Sequence, residues 1–372
     1  MVDRIECRNH ADSKKIALVG SMIAGVETHY RNVLQGARLQ QQIEAIAVPV
    51  LPYVEGDWIR RLSFLPPSTR STLRQVLCTA PLFRRSRFDA IWSQAAIPLM
   101  PWMFSANLIR PLPVVYSMDS TPCQLSAFRH LYNYWGGRSP LKTAVRDMLF
   151  VAFLKKLAIV NPWTEWAARS FIADYDVDPA RIRVLPPGVD TTFWRPAQSK
   201  SSRDVPRAIF VGGDFARKGG DLLLSVFRER FPGRLELDLV TRAEVDVEPG
   251  IRIHRDLSPN DPRLLDLYQQ ADFFVLPTRA DCFPMAGIEA MSTGLPLIMS
   301  SIAGIGEMFE SGRQGYHVPA DDGDALATAI ESLVSSPGRR AEMGAEARSL
   351  ALSRYDTHRN TAKLLALFEE AT

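Results

Sequence analysis

A lysine set among glycines, and two carboxylates closing a nine-residue segment, are the residues of this chain best suited to chemistry. The lysine lies in Ala-Ile-Phe-Val-Gly-Gly-Asp-Phe-Ala-Arg-Lys-Gly-Gly-Asp, residues 208–221. Gly212 and Gly213 let the backbone turn sharply and come close to a ligand. Arg217 and Lys218 bring positive charge, and Gly219-Gly220 lead into a helix whose N-terminus itself favours anions. The combination suits a phosphate or diphosphate; it also describes a glycine-rich strand-to-helix turn with solvated cations. It is not a P-loop, because G-x-x-x-x-G-K-[ST] occurs nowhere in the chain. The carboxylates are Asp281 and Glu289, in Asp-Cys-Phe-Pro-Met-Ala-Gly-Ile-Glu. A carboxylate accepts paired hydrogen bonds from the neighbouring hydroxyls of a sugar or ribose. A helix starting near Met285 would turn its first amides toward an anion. The plainer alternative is a surface aspartate and a helix-face glutamate with no joint role.

Alternating strands and helices must position these groups, which predicts a parallel α/β architecture. In the first half, strands are expected at 15–20, 43–48 (stopping before Pro49), 89–93 and 113–118. Helices are expected from about 27 to 39 and from 164 to 175, with 149–160 readable as a helix leading into a strand. A polar, proline-flanked stretch, 196–206, reads as a linker. The second half repeats the alternation. Strands are expected at 209–211, 235–240, 251–254, 273–276 and 297–299, and helices at 220–230, 262–270, 285–292, 324–335, 339–354 and 360–370. Asp281 then falls in a loop after a strand and Glu289 one turn into the next helix, beyond the carboxyl end of a parallel sheet, where such folds bind ligands.

Composition narrows the function classes. With 372 residues, 46% hydrophobic and 23% charged, two ordinary domains are expected, and a net charge of +3 is too small to imply a nucleic-acid partner. The four cysteines form no C-x-x-C pair and have no histidine at metal-ligand spacing. With no apolar leader or spanning run either, a reducing cytoplasmic location is expected. No D-x-D or histidine cluster supports a metal site. Residues 58–88 stand apart, with seven arginines and no acid, interleaved with Trp58, Phe64, Leu77 and Phe83. This pattern fits contact with an anionic membrane surface, or else a solvated helix pair broken at Pro66-Pro67.

Over residues 155–355 the chain resembles the GT-B fold, retaining glycosyltransferases of family 4. The resemblance rests on Gly212, Lys218-Gly219, Pro277-Thr278, Asp281, Phe283, Glu289-Ala-Met291, Gly294-Leu-Pro296 and Ala303-Gly304-Ile-Gly-Glu307. Upstream it includes Asn161, 184–190 and Phe193; downstream, 315–319, Asp324 and Met343-Gly344. It implies two Rossmann-like domains facing across a cleft, here about 1–195 and 203–354, with a last helix, 356–372, crossing back onto the first. It further implies transfer of a sugar from a nucleotide diphosphate sugar to a hydroxyl of a polysaccharide, lipid-linked oligosaccharide or glycolipid, with configuration retained and no metal or other cofactor.

By the same resemblance, Lys218 carries the leaving diphosphate, Glu289 the ribose hydroxyls and Asp281 the donor sugar. The backbone around Phe283, Pro284, Met285 and Ala286 would line the donor site. The chain departs from the family pattern in three places. Gly213 replaces an arginine, with Arg217 a possible substitute for its charge; Asp281 replaces a glutamate; and Pro284 replaces a glycine, which removes an amide donor. In the first half the match is looser. Gly25-Val-Glu-Thr-His29 resembles a donor-facing segment, which places Gly25 beside the phosphates, and Asp119 is the acceptor-side candidate unless it caps the turn 119–122. His29 and His130 read as surface residues. A GT-B nucleotide-sugar epimerase and a non-catalytic nucleotide-sugar-binding protein remain as alternatives. A dinucleotide oxidoreductase does not fit, because the first strand is not followed by G-x-G-x-x-G.

Overall fold

The structure, a computed structural model, describes residues 13–371 apart from 23, 41, 52–57, 63, 65–66, 84–87, 97, 101–111, 133–139, 200–202 and 247. The chain divides into two compact units. One comprises Met1–Ser126, Gly136–Gly188 and Thr357–Thr372; the other comprises Ala127–Trp135 and Val189–Asp356. Both have the Rossmann-like construction expected of a GT-B fold.

The first unit holds a five-stranded parallel sheet in the order β2-β1-β3-β4-β5. Its strands are β1 (Lys14–Ser21), β2 (Ile43–Val50), β3 (Ala90–Ser93), β4 (Val114–Met118) and β5 (Ile159–Pro162). Side chains alternate between two apolar layers, as the pleat requires. Ala17, Val19, Ile91, Val114, Tyr116 and Val160 face one core with Phe150, Phe153 and Phe171, from α4 (Pro140–Leu154) and α5 (Glu165–Ala173). Ile16, Leu18, Ala90, Trp92, Val115 and Ile159 face the other, covered by α1 (Ala24–Ala37) and the last helix, α11 (Thr357–Glu370). The chain therefore crosses back to its first unit at the end, where Leu364, Leu365 and Phe368 bury against Tyr30 and Val33. This unit also carries α2 (Pro67–Cys78) and α3 (Pro122–Ala127).

Two expectations need correcting here. β2 does not stop before Pro49 but runs to Val50, with Pro49 opposite Gly20. Because β2 is the edge strand, the missing N–H costs no interior ladder bond. The helix expected from 149 begins at Pro140 and ends at Leu154, with a separate strand from Ile159.

The second unit carries six parallel strands in the order β11-β10-β9-β6-β7-β8. They are β6 (Arg207–Val211), β7 (Glu236–Val240), β8 (Ile251–His254), β9 (Phe273–Leu276), β10 (Leu297–Ser300) and β11 (Gly315–Val318). The connecting and flanking helices are α6 (Gly220–Arg230), α7 (Pro262–Gln270), α8 (Met285–Ser292), α9 (Gly323–Val334) and α10 (Pro337–Arg354). The central strands β9 and β10 are buried along their whole length, as a sheet covered on both faces requires. Strand order reverses between β6 and β9. In open parallel sheets such a reversal, beyond the carboxyl ends of the strands, is where ligands bind.

Candidate active site

The two loops singled out from the sequence leave these two central strands. Residues 212–219 follow β6 and 277–284 follow β9. Gly219 has φ +75°, and a Cβ there would collide with the Pro277 carbonyl, so glycine is what lets the loops touch. Contact is then made reciprocally. The Arg279 amide and the Thr278 hydroxyl donate to the Arg217 carbonyl at 2.9 and 3.2 Å. The Arg217 Nη1 donates back to the Ala280 carbonyl at 2.5 Å. Arg279 adds a charged tie to Asp221 at 2.6 Å and another to Asp321 at 2.5 Å.

Lys218 and Asp281 meet at the centre of this staple, Nζ against Oδ2, with both side chains mostly shielded from water. A half-buried cation and its counter-ion are thus held ready at a sheet's carboxyl edge, a charged pair that an incoming anion can re-partner. Arg217 does not stand free beside Lys218. Its Nε bonds Asp214 Oδ2 at 3.0 Å and its guanidinium lies over the Tyr132 ring, 4.7 Å from the centroid. Gly212 donates its amide to the Val240 carbonyl at 2.9 Å. Gly213 is exposed, and a Cβ added there would meet nothing within 4 Å, so no steric demand explains its replacing the family's arginine.

Helix α8 starts at Met285 with Pro284 as its N-cap, and no side chain caps it. The side chains of Phe283 and Met285 are buried, and Phe283 packs edge-on against Tyr355 at 6.1 Å. What residues 283–286 can offer a ligand is therefore backbone. Glu289 is 5% exposed and accepts a hydrogen bond from the Tyr268 hydroxyl at 3.1 Å. The same hydroxyl lies 3.2 Å from the Ala286 carbonyl. Burial pushes the Glu289 carboxyl up from 4.5 to about 7, despite the opposing hydrogen bond from Tyr268. Burial beside this carboxyl also raises the Tyr268 hydroxyl well above its ordinary range.

In the first unit, Asp119 follows β4 and accepts from the Ser120 hydroxyl at 2.8 Å. The following helix is capped by Thr121, its Oγ1 accepting from the Gln124 amide at 3.2 Å while Gln124 Oε1 accepts from the Thr121 amide at 3.1 Å, a reciprocal capping box. Gly25 is exposed in the first turn of α1. His29, expected at the surface, is buried instead, edge-on to Trp92 and Trp163 at 5.6 and 4.8 Å. Burial lowers its pKa to about 3, so it stays neutral. Beneath it runs a neutral relay. Trp163 Nε1 donates to Ser117 Oγ at 3.0 Å, Ser117 Oγ to Asn161 Oδ1 at 2.8 Å, and Asn161 Nδ2 to the Arg183 carbonyl at 2.8 Å.

The basic 58–88 stretch is only partly described. Arg61 and Phe64 are exposed, Arg70 and Arg74 half-buried, and Arg84, Arg85 and Arg87 lie outside the described residues. No helix among the described residues is long and apolar enough to cross a membrane, and those residues contain no group of three His, Cys, Asp or Glu side chains placed to hold a metal ion.

Sequence reading missed Tyr132, Tyr268 and Arg279. Tyr268 lies on the apolar stripe of α7, where an aromatic reads as core. Arg279 and Tyr132 reach the site only through tertiary contact.

Comparison with known proteins bears on this geometry. Residues 205–336 match the family described as Glycosyl transferases group 1, and residues 23–193 match Glycosyltransferase Family 4. A D-inositol 3-phosphate glycosyltransferase of Rhodococcus jostii (strain RHA1) is 32% identical over 201 residues, 47% of this chain and 44% of that protein. The chain thus spans about half the length of the first curated relatives it matches. Among solved structures, sucrose-phosphate synthase from Thermosynechococcus elongatus superposes with a TM-score of 0.75 at 16% identity, over 96% of this chain and 98% of the other. Anabaena Alr3699/HepE in complex with UDP and glucose gives 0.68 at 14% identity, over 96% and 99%. At such identities the structures establish the shared fold.

Proposed function

The chain belongs to glycosyltransferase family 4 and has the GT-B fold, and from that premise we propose that it transfers a sugar from a nucleotide diphosphate sugar to an acceptor hydroxyl with retention of configuration. The observation that carries this reading is the Lys218–Asp281 pair at the strand-order reversal between β6 and β9. In the proposed reaction the bond from the anomeric carbon to the diphosphate breaks, and its electrons leave with the phosphate oxygen. The acceptor oxygen bonds to the same face of that carbon, and its proton passes to the departing phosphate. Lys218 leaves Asp281 to meet the growing phosphate charge, a contact stronger in the transition state than before it. The uncapped starts of α6 and α8 add fixed positive potential without a divalent cation. Asp281, released from its lysine, accepts hydroxyls of the donor sugar, while Glu289 takes those of the ribose. Asp119, beyond β4, serves the acceptor.

The acceptor class is a saccharide, a lipid-linked oligosaccharide or a glycolipid. Inositol phosphates join the candidates because the relative from Rhodococcus jostii is named for one. Exposed Arg61 and Phe64 support a peripheral seat on anionic lipid, which co-sedimentation with anionic liposomes at low salt tests. The decisive experiment is a thermal-shift screen of UDP-glucose, UDP-N-acetylglucosamine and GDP-mannose. It is followed by transfer assays with and without EDTA and proton NMR of the product's anomeric centre. Stabilisation by one donor, EDTA-insensitive turnover and an unchanged anomer are expected. Donor conversion with no acceptor present would favour an epimerase, and binding without any turnover a carrier.

A further inference from the structure

Residues 127–132 sit with the second unit, although the chain on either side builds the first. From this excursion Tyr132 places its ring beneath the Arg217 guanidinium, whose Cζ lies 4.7 Å from the ring centroid. Its hydroxyl points at the Ala280 carbonyl from 3.5 Å. A guanidinium uses its edge for hydrogen bonds and its face for stacking. Here its hydrogen bonds go to Asp214 and to the Ala280 carbonyl, and the Tyr132 ring lies within cation–π distance of it. Ala280 immediately precedes Asp281, the carboxylate paired with Lys218.

We propose that Tyr132 is a positioning residue for the sugar end of the donor site, acting through Arg217 to fix the 280–281 turn and hence where the Asp281 carboxylate stands. The inference deepens the donor-site reading above and rests on it. It separates two parts of one ligand. The nucleoside diphosphate is met by Lys218, the helix starts and Glu289, while the sugar is met by Asp281, which follows the Ala280 carbonyl that Arg217 and Tyr132 both reach. A defect at Tyr132 should therefore appear only when the sugar is attached.

The test is isothermal titration of the full chain with UDP-glucose, UDP-N-acetylglucosamine, GDP-mannose, UDP and GDP. It compares the native protein with Tyr132→Leu, which keeps apolar bulk but loses the π face, and with Tyr132→Phe, which keeps the ring. The expected result is that Tyr132→Leu weakens the preferred nucleotide sugar about five- to tenfold and its free diphosphate by less than about twofold. Tyr132→Phe restores native affinity, and in an Arg217→Ala background Tyr132→Leu has no further effect. Equal weakening of sugar and diphosphate, no weakening, or additivity with Arg217→Ala would each overturn the proposal while leaving the donor site standing. If the native chain binds none of the five ligands, the donor-site reading falls and this inference with it.

Discussion

The loops beyond the carboxyl ends of the two sheets differ in kind. In the second unit they are built from opposed charges. Lys218 is set against Asp281, Arg217 against Asp214, and Arg279 against Asp221 and Asp321. In the first unit the buried polar groups at the same edge are mostly neutral: Ser117 bonds with Trp163 and Asn161, Thr121 with Ser170, and His29 is kept uncharged. Desolvated charge is costly unless paired, so the second arrangement persists only because every cation has its acid. In the proposed reaction an arriving diphosphate would replace the acid and keep the pairing. The first arrangement has no such exchange to offer. Its groups are neutral and buried, and Asp119 is the charge next to them.

Removing the central cation should show the contrast most sharply. Lys218→Ala is expected to lower turnover about 10²-fold or more in a steady-state transfer assay, the loss of a transition-state charge contact. Near-native turnover would take Lys218 out of the mechanism. Next in size, Glu289→Ala should raise the donor KM about 30-fold with a smaller change in kcat, as expected for losing hydrogen bonds to a charged group present in both ground and transition states. If nucleotide affinity is unaltered, Glu289 does not hold the ribose. Asp119→Asn should behave in the opposite sense, raising the acceptor KM about tenfold and leaving donor affinity by titration unmoved. A donor defect there would erase the distinction between the two edges.

Much of the second unit was legible in the sequence. Helices 220–230, 262–270 and 285–292 and strands 251–254 and 273–276 lie where their periodicity and breakers place them. Each has a local cause, such as Gly219 before α6, Asp261-Pro262 opening α7, and Gly294 with φ +80° after α8. β11 escaped notice because it opens with Gly315, a poor strand former. That glycine is required all the same, since a Cβ there would collide with the Leu297 backbone of β10. His29 was misplaced for a related reason. On its helix it reads as an isolated polar residue, and Trp92 of β3 and Trp163, just after β5, pack edge-on against it. The family pattern named Lys218, Asp281 and Glu289. It could not name Tyr268, Arg279 or Tyr132, whose roles depend on which surfaces the fold brings together.

The smallest expected effect concerns pH. Glu289 releases its proton near 4.5 when unfolded and near 7 when buried in the native chain. Between those values the folded state holds a proton that the unfolded state has lost, so stability should fall as pH rises across that interval. Denaturant titrations of Glu289→Gln, which cannot ionise, should lack that part of the slope. Ligand binding should run the other way. The carboxylate accepts two hydroxyls where the neutral acid accepts fewer, so donor affinity should rise by about fivefold from pH 6 to pH 8 and then level off. Tyr268 stays protonated throughout and keeps donating, so it does not blur the transition. No lysine or arginine is hydrogen-bonded to Glu289 in the contacts described, so its burial, rather than a neighbouring cation, sets the midpoint. A flat affinity profile in the native chain, or one that Glu289→Gln reproduces, would place the titrating group elsewhere and return Glu289 to the interior of α8 as a packing residue.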